Sequence, residues 1–255
     1  MGGGYSTCIM QGWFAYNFDF LPTNDLRPVF VGTHFREEAQ KFLKHFFYHF
    51  PHYFKDKSIG CRDLYTLEFL QRYKLDAYFS RCLTLTLDKR EKGEYKKVFF
   101  VGINENLKEY FPPYLLENSE FINQTIVNHN DSSWEYMYEN TKNLLDRYKN
   151  EARLVICSAL HCAAPCVAMG INVILIQITN EQGLRFSALN GILPIYSVDD
   201  LKQGNINFEC NTPDIENLKV LMLENLKLSI LQTWGEKVDE EKLKNTRKEI
   251  SNFKL

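Results

Sequence analysis

The sequence predicts an α/β protein built on parallel sheets, in two halves. Three observations carry this. Apolar runs at 97–103 (KVFFVGI), 153–157 (RLVIC) and 172–178 (NVILIQI) alternate with helical segments. Strands apolar on both faces belong in a parallel sheet with helices covering both sides. A charged stretch, 88–96 (DKREKGEYK), separates these runs from an earlier set of strands and helices and reads as a linker. With 255 residues, 45% apolar and 24% charged, the chain can bury one large core or two small ones.

In chain order, 6–10 reads as a short strand and 16–27 (YNFDFLPTNDLR) as a loop rich in turn formers. A buried strand follows at 28–33 (PVFVGT), then an aromatic-dense helix at 37–50. Residues 58–62 form a strand and turn. Residues 64–73 form a helix, with apolar positions 64, 67 and 70. The alternation at 77–87 (AYFSRCLTLTL) predicts a closing strand. Beyond the linker, strand 97–103 leads to a short helix at 104–110, a strand at 124–127 and a helix at 133–150. Strand 153–157, helix 159–169 and strand 172–178 complete the series. Apolar residues at 215, 218, 222, 226 and 230 mark an amphipathic helix that packs back on the body. The expected division is a first half at 1–88, a second half at 96–200 and packing helices at 211–255.

The net charge of −2 provides no general attraction to nucleic acid, and no nucleic-acid partner is expected. No segment is apolar for the roughly 18 residues that span a bilayer, and the N-terminus lacks the pattern of a secretory signal. Seven cysteines without C-x-x-C spacing fit a reducing cytoplasm, with a peripheral position on the inner face of the membrane compatible. Cys157, Cys162 and Cys166 match no zinc spacing, and His45, His49 and His52 lack a carboxylate to complete a site. No metal and no cofactor are expected.

Ligands of open α/β sheets bind beyond the carboxyl ends of strands. There the sequence places SALHCAAPCVAMG (158–170). Ser158 is a suitable N-cap, and the helix start that follows, with the Leu160 amide, offers donors and a dipole to an anion. His161 in its first turn suits proton transfer. Pro165 is expected early enough in this helix to be harmless. Arg62, in IGCRDLYT (59–66), can fork onto phosphate or carboxylate; alternatively it is a surface ion-pair partner beside a cap made by Asp63 or Thr66. His34, His129 and Arg185 each follow a strand and are candidates to meet an anion.

QGWF (11–14), SIGCRDLYTLEFL (58–70), AYFSRCLTLTL (77–87) and ARLVICSALHCAAPCVAMGINVIL (152–175) together resemble the polysaccharide pyruvyl transferase family. The resemblance runs from about residue 9 to residue 196, in the expected order. It implies two Rossmann-like halves arranged like a GT-B glycosyltransferase. It also implies transfer of a pyruvyl group from phosphoenolpyruvate to a sugar as a cyclic ketal, during assembly of capsule, exopolysaccharide or cell-wall glycan. By position, Arg62 would bind the donor's phosphate or carboxylate, and His161 would act as general acid on its methylene carbon. The helix start behind Ser158 would hold phosphate. The acceptor would be a glycan or lipid-linked saccharide, and a homo-oligomer is compatible.

This chain departs from the family pattern in three ways. Ala159 stands where the family usually has arginine. Arg81 stands where relatives commonly have a small residue, which makes it the candidate replacement charge. The family's earlier strand and glycine-containing loop have no counterpart, so the first half is expected to be incomplete, through truncation or completion by another subunit. These departures keep two alternatives open: a GT-B-type glycosyltransferase using a nucleotide sugar, and a degenerate homologue that binds a glycan without catalysis.

Overall fold

A computed structural model describes residues 6–14, 21–22, 26–124 and 133–255. The chain divides into two compact units. One comprises Met1–Thr86, Leu184–Leu189 and Glu216–Lys254; the other comprises Leu87–Gly183, Asn190–Ile215 and Leu255. Both are α/β with parallel sheets, as a fold of two Rossmann-like halves requires.

The first unit contains β1 (Ser6–Ile9), β2 (Gly12–Phe14), β3 (Leu26–Phe35), α1 (Glu37–His49), β4 (Ile59–Cys61), α2 (Leu64–Arg72) and β5 (Ala77–Phe79). Sheet order is β1-β3-β4-β5, and every pair is parallel. Thr33 pairs with Gly12 of β2 on one edge of β3 and with Cys61 of β4 on the other. Strands β1 and β2 therefore follow one another along the same edge. The β3–β4 register shifts between Phe30 and Thr33. Gly32 sits in this bulge with φ +73 and donates its N–H to Ser80 Oγ at 2.9 Å. A Cβ at Gly60 would lie 2.8 Å from the Phe30 carbonyl oxygen, so only glycine lets β4 pass this closely. Phe30, Phe35, Leu43, Phe54, Ile59 and Phe69 form the core, which absorbs much of the aromatic density of α1.

The expected strand at 77–87 is only three residues long. Arg81 takes a left-handed φ of +62, which ends extended pairing, and Leu83–Thr86 close into a 3-10 turn. The alternating leucines that suggested a strand are set by that turn, which buries Leu85. His34 lies within β3, one residue from its end, and not in a following loop.

The second unit begins with the charged stretch, which is not a free linker. Arg90 donates its backbone N–H to Met169 O at 3.0 Å and its guanidinium to Ala152 O at 2.7 Å. Then come β6 (Lys97–Val101), a 3-10 helix (Glu105–Tyr110), α3 (Pro113–Leu116) and β7 (Ser119–Ile122). They are followed by α4 (Trp134–Glu151), β8 (Ala152–Cys157), α5 (Leu160–Ala168), β9 (Asn172–Gln177), α6 (Asn180–Phe186, whose residues from Leu184 on belong to the first unit), β10 (Ile195–Ser197) and α7 (Val198–Lys202). The strand expected at 124–127 falls mostly outside the described residues; the strand beside β6 is β7, at 119–122. Sheet order is β10-β9-β8-β6-β7, all parallel. Numbered from β6, this is the doubly wound order 2-1-3-4-5, whose direction reverses between β6 and β8. Val98, Phe100, Leu154, Ile156, Ile174 and Ile176 bury one face. On the other face Phe99 meets Tyr148 of α4 edge to face at 5.3 Å.

The chain then returns to the first unit with α8 (Glu216–Thr233) and α9 (Glu240–Asn252). Leu218, Met222, Leu228, Leu243 and Ile250 are their buried apolar residues. No helix among the described residues is long and apolar enough to cross a membrane.

Candidate functional site

In the second unit the switch point is stitched by one side chain. Ser158 follows β8, and its hydroxyl donates to the Gly102 carbonyl, beyond the end of β6, at 2.7 Å. Its N–H bonds Val101 O at 3.1 Å, and its carbonyl accepts from Gln182 Nε2 at 3.0 Å. Gly102 has φ +66, and a Cβ there would lie 2.9 Å from Ser158 Oγ. Ser158 is therefore a brace and not the cap. The N-cap is Ala159, with extended backbone and no side-chain hydrogen bond. Alanine cannot satisfy the first helical donors. Helix α5 thus starts beside the switch point without a cap from its N-cap side chain, with His161 exposed in its first turn. The Leu160 side chain is buried, so only its backbone can contribute to such a site.

Pro165 lies at the sixth helical position, beyond the first turn. There it removes the donor that the His161 carbonyl would ordinarily meet. Cys157, Cys162 and Cys166 are buried free thiols. The Cys157 thiol is pushed up by its hydrogen bond with Cys162 and by burial, and the Cys162 thiol mainly by burial, so both stay protonated. Among the described residues no group of ligands could hold a metal, and His45, His49 and His52 are exposed.

The first unit holds a denser polar cluster, at the carboxyl ends of β3 and β4. Arg62 and Asp63 follow β4, and both are buried. Asp63 caps α2, accepting the Thr66 N–H on Oδ1 at 3.0 Å. Its Oδ2 lies 2.6 Å from His34 Nδ1 and 3.4 Å from Arg62 Nε. Burial pushes the Asp63 carboxyl up, but His34, Arg62 and the Thr66 amide together hold it below its ordinary value. Burial pushes the His34 imidazole down, and the neighbouring Asp63 only partly offsets this. His34 is therefore neutral near pH 7, with its Nδ1 proton directed at Asp63 and Nε2 left as acceptor. The Leu64 N–H meets Ser187 Oγ at 3.0 Å, so the start of α2 is already satisfied from two sides.

Two donors in this cluster are unmet. Among the described residues, buried Arg62 Nη2 finds no hydrogen-bond partner, and neither does the buried Nε of Arg185, near the end of α6. Each orphaned buried donor costs about 1–3 kcal/mol, and more on a charged group. Arg62 is thus neither a surface residue nor a simple ion-pair partner.

Arg81, the expected replacement charge, is consumed elsewhere. Its guanidinium donates to the carbonyls of Ile250 at 2.9 Å, Ala188 at 3.2 Å and Phe253 at 3.1 Å. Burial lowers its pKa to about 10, which still leaves it charged near pH 7. It is a strut tying β5 to α9, not an anion ligand. His129 lies outside the described residues. Sequence reasoning missed Asp63 as the residue that orients His34. Arginine followed by aspartate, with threonine three residues on, signalled a cap but not its second partner. It also missed Gly102, which the glycine closing 97–102 could have flagged.

No curated protein and no solved structure matches the chain. The profile of the polysaccharide pyruvyl transferase family matches residues 1–180, a span that holds His34, Arg62, Asp63, Ser158 and His161 but ends before Arg185. A match over more than half of the 255 residues, on a fold of two parallel α/β units, places this chain in the polysaccharide pyruvyl transferase family.

Proposed function

We propose that the protein transfers a pyruvyl group from phosphoenolpyruvate to a sugar of a capsular, exopolysaccharide or cell-wall glycan precursor. The observation that carries this reading is the family match over residues 1–180. The unfilled Arg62 nitrogen supports it, since a buried guanidinium of this kind calls for an oxyanion. In the reaction two acceptor hydroxyls form C–O bonds to C2 of the donor. The methylene carbon gains a proton and becomes methyl, and the C2–O bond breaks to release phosphate; of the two hydroxyl protons, one restores the general acid and the other leaves with the phosphate. His161 delivers the proton to the methylene carbon, and Arg62 holds an anionic group of the donor. The acceptor is a glycan or lipid-linked saccharide, met in the cytoplasm or at the inner face of the membrane. No cofactor is needed. The test is incubation with phosphoenolpyruvate and candidate sugars, followed by assays for ketal and free phosphate. Failure to bind phosphoenolpyruvate at millimolar concentration overturns the reading.

A second reading is a glycosyltransferase using a nucleotide sugar. The 2-1-3-4-5 order favours it, because its switch point at Gly102 and Ser158 is a common place for nucleotides to bind. Thermal stabilisation by UDP, GDP or CMP, with none by phosphoenolpyruvate, would select it.

A further inference from the structure

We infer that Arg62 and Arg185 act as a pair that holds a single oxyanion within the first unit. On this view Arg185, beyond the span matched by the family, is a binding residue. The inference rests on the reading of Arg62 as an anion ligand, and it adds a partner and a charge count.

Both side chains carry a buried nitrogen without an acceptor among the described residues. The Leu64 N–H, two residues after Arg62, bonds Ser187 Oγ, two residues after Arg185, at 3.0 Å, which brings the two segments together, and the Arg185 charge disfavours protonation of both Arg62 and His34. Buried Arg62 does not escape burial by losing its proton, so its charge has to be met by another group, while Arg185 is half-buried with its Nε closed off from water. Asp63 cannot meet both, because its oxygens already serve His34, the Thr66 amide and Arg62 Nε. Ser187 Oγ is likewise engaged, accepting from Leu64 N and donating to Leu184 O. Neutral His34 adds no counter-charge. Two guanidinium groups against one carboxylate leave one positive charge over, with two N–H-bearing nitrogens still to be satisfied. A phosphate or carboxylate of a small acid meets both needs at once, whereas a neutral ligand meets only the second.

The test is calorimetric titration of the full chain with inorganic phosphate, pyruvate and phosphoenolpyruvate. Wild type, Arg185→Gln, Arg185→Lys and Arg62→Gln are compared, with thermal melts to confirm folding. The expected result is binding of phosphoenolpyruvate that Arg185→Gln weakens about tenfold or more, the value of a charge-assisted hydrogen bond, and Arg185→Lys weakens less. Binding of phosphate but not pyruvate identifies the phosphate end as the ligand; the reverse identifies the carboxylate. Affinity unchanged in Arg185→Gln but lost in Arg62→Gln overturns the pairing and leaves Arg62 as a lone ligand. No binding of any probe at millimolar concentration overturns both. Binding that depends on Arg185 without ketal formation overturns pyruvyl transfer and keeps the pair.

Discussion

Arg81, Arg62 and Arg185 share a side chain and differ in what surrounds it. The Arg81 guanidinium meets three backbone carbonyls. Arg81→Ala should therefore orphan those acceptors and destabilise the fold by about 3 kcal/mol, read by chemical denaturation. Phosphate affinity should not change in the variant that remains folded. His34 makes a separate prediction. Its folded pKa lies below the ordinary 6.5, so the unfolded chain binds the extra proton first as pH falls. Stability should therefore rise with pH across the window just below 6.5 and level off above it. Asp63, held below 3.8, adds a loss in the same direction only at lower pH. Melting temperature against pH should show a shallower decline between about pH 6.5 and 5 in His34→Asn than in wild type. At this scale the sequence announced Arg62, Ser158 and His161 as polar residues beyond strands. It could not assign their partners, because partners such as Gly102 for Ser158 come from distant segments.

Among the elements, β6, β8 and α5 decide how the second unit can meet a ligand. Gly102 is held at φ +66 with Ser158 Oγ where a Cβ would go. Gly102→Ala should cost about 1–3 kcal/mol by strain and crowding, measured by denaturation, and should weaken ligand binding at the start of α5. Ser158→Ala should be milder, about 1 kcal/mol, since it leaves only the Gly102 carbonyl short of a donor. Most elements were legible because continuous apolar runs and helical stripes are burial signals, and burial formed them. The failure at 77–87 is instructive. Alternating leucines and threonines satisfy strand period, but the left-handed Arg81 breaks pairing first, held by carbonyls far along the chain. The capping role given to Ser158 failed for a related reason: the Gly102 carbonyl, beyond β6, took its hydroxyl.

On the scale of the whole molecule, the chain forms two parallel α/β units, and the first is assembled from three stretches of sequence. The strand–helix alternation made the sheets readable, but it could not show that 184–189 and 216–254 join the first unit. That return brings Arg185 and Ser187 to the cluster around Arg62. If the protein is a pyruvyl transferase, His161→Ala should lower turnover about 10²–10⁴-fold, as loss of a general acid does, while phosphoenolpyruvate affinity changes little. The most direct measurement is phosphorus and proton NMR of phosphoenolpyruvate mixed with the protein and a panel of sugars. Free phosphate and a ketal methyl signal should grow in equal amounts in wild type and be nearly absent in His161→Ala. A phosphoenolpyruvate signal that neither broadens nor declines at millimolar concentration with wild-type protein would contradict pyruvyl transfer.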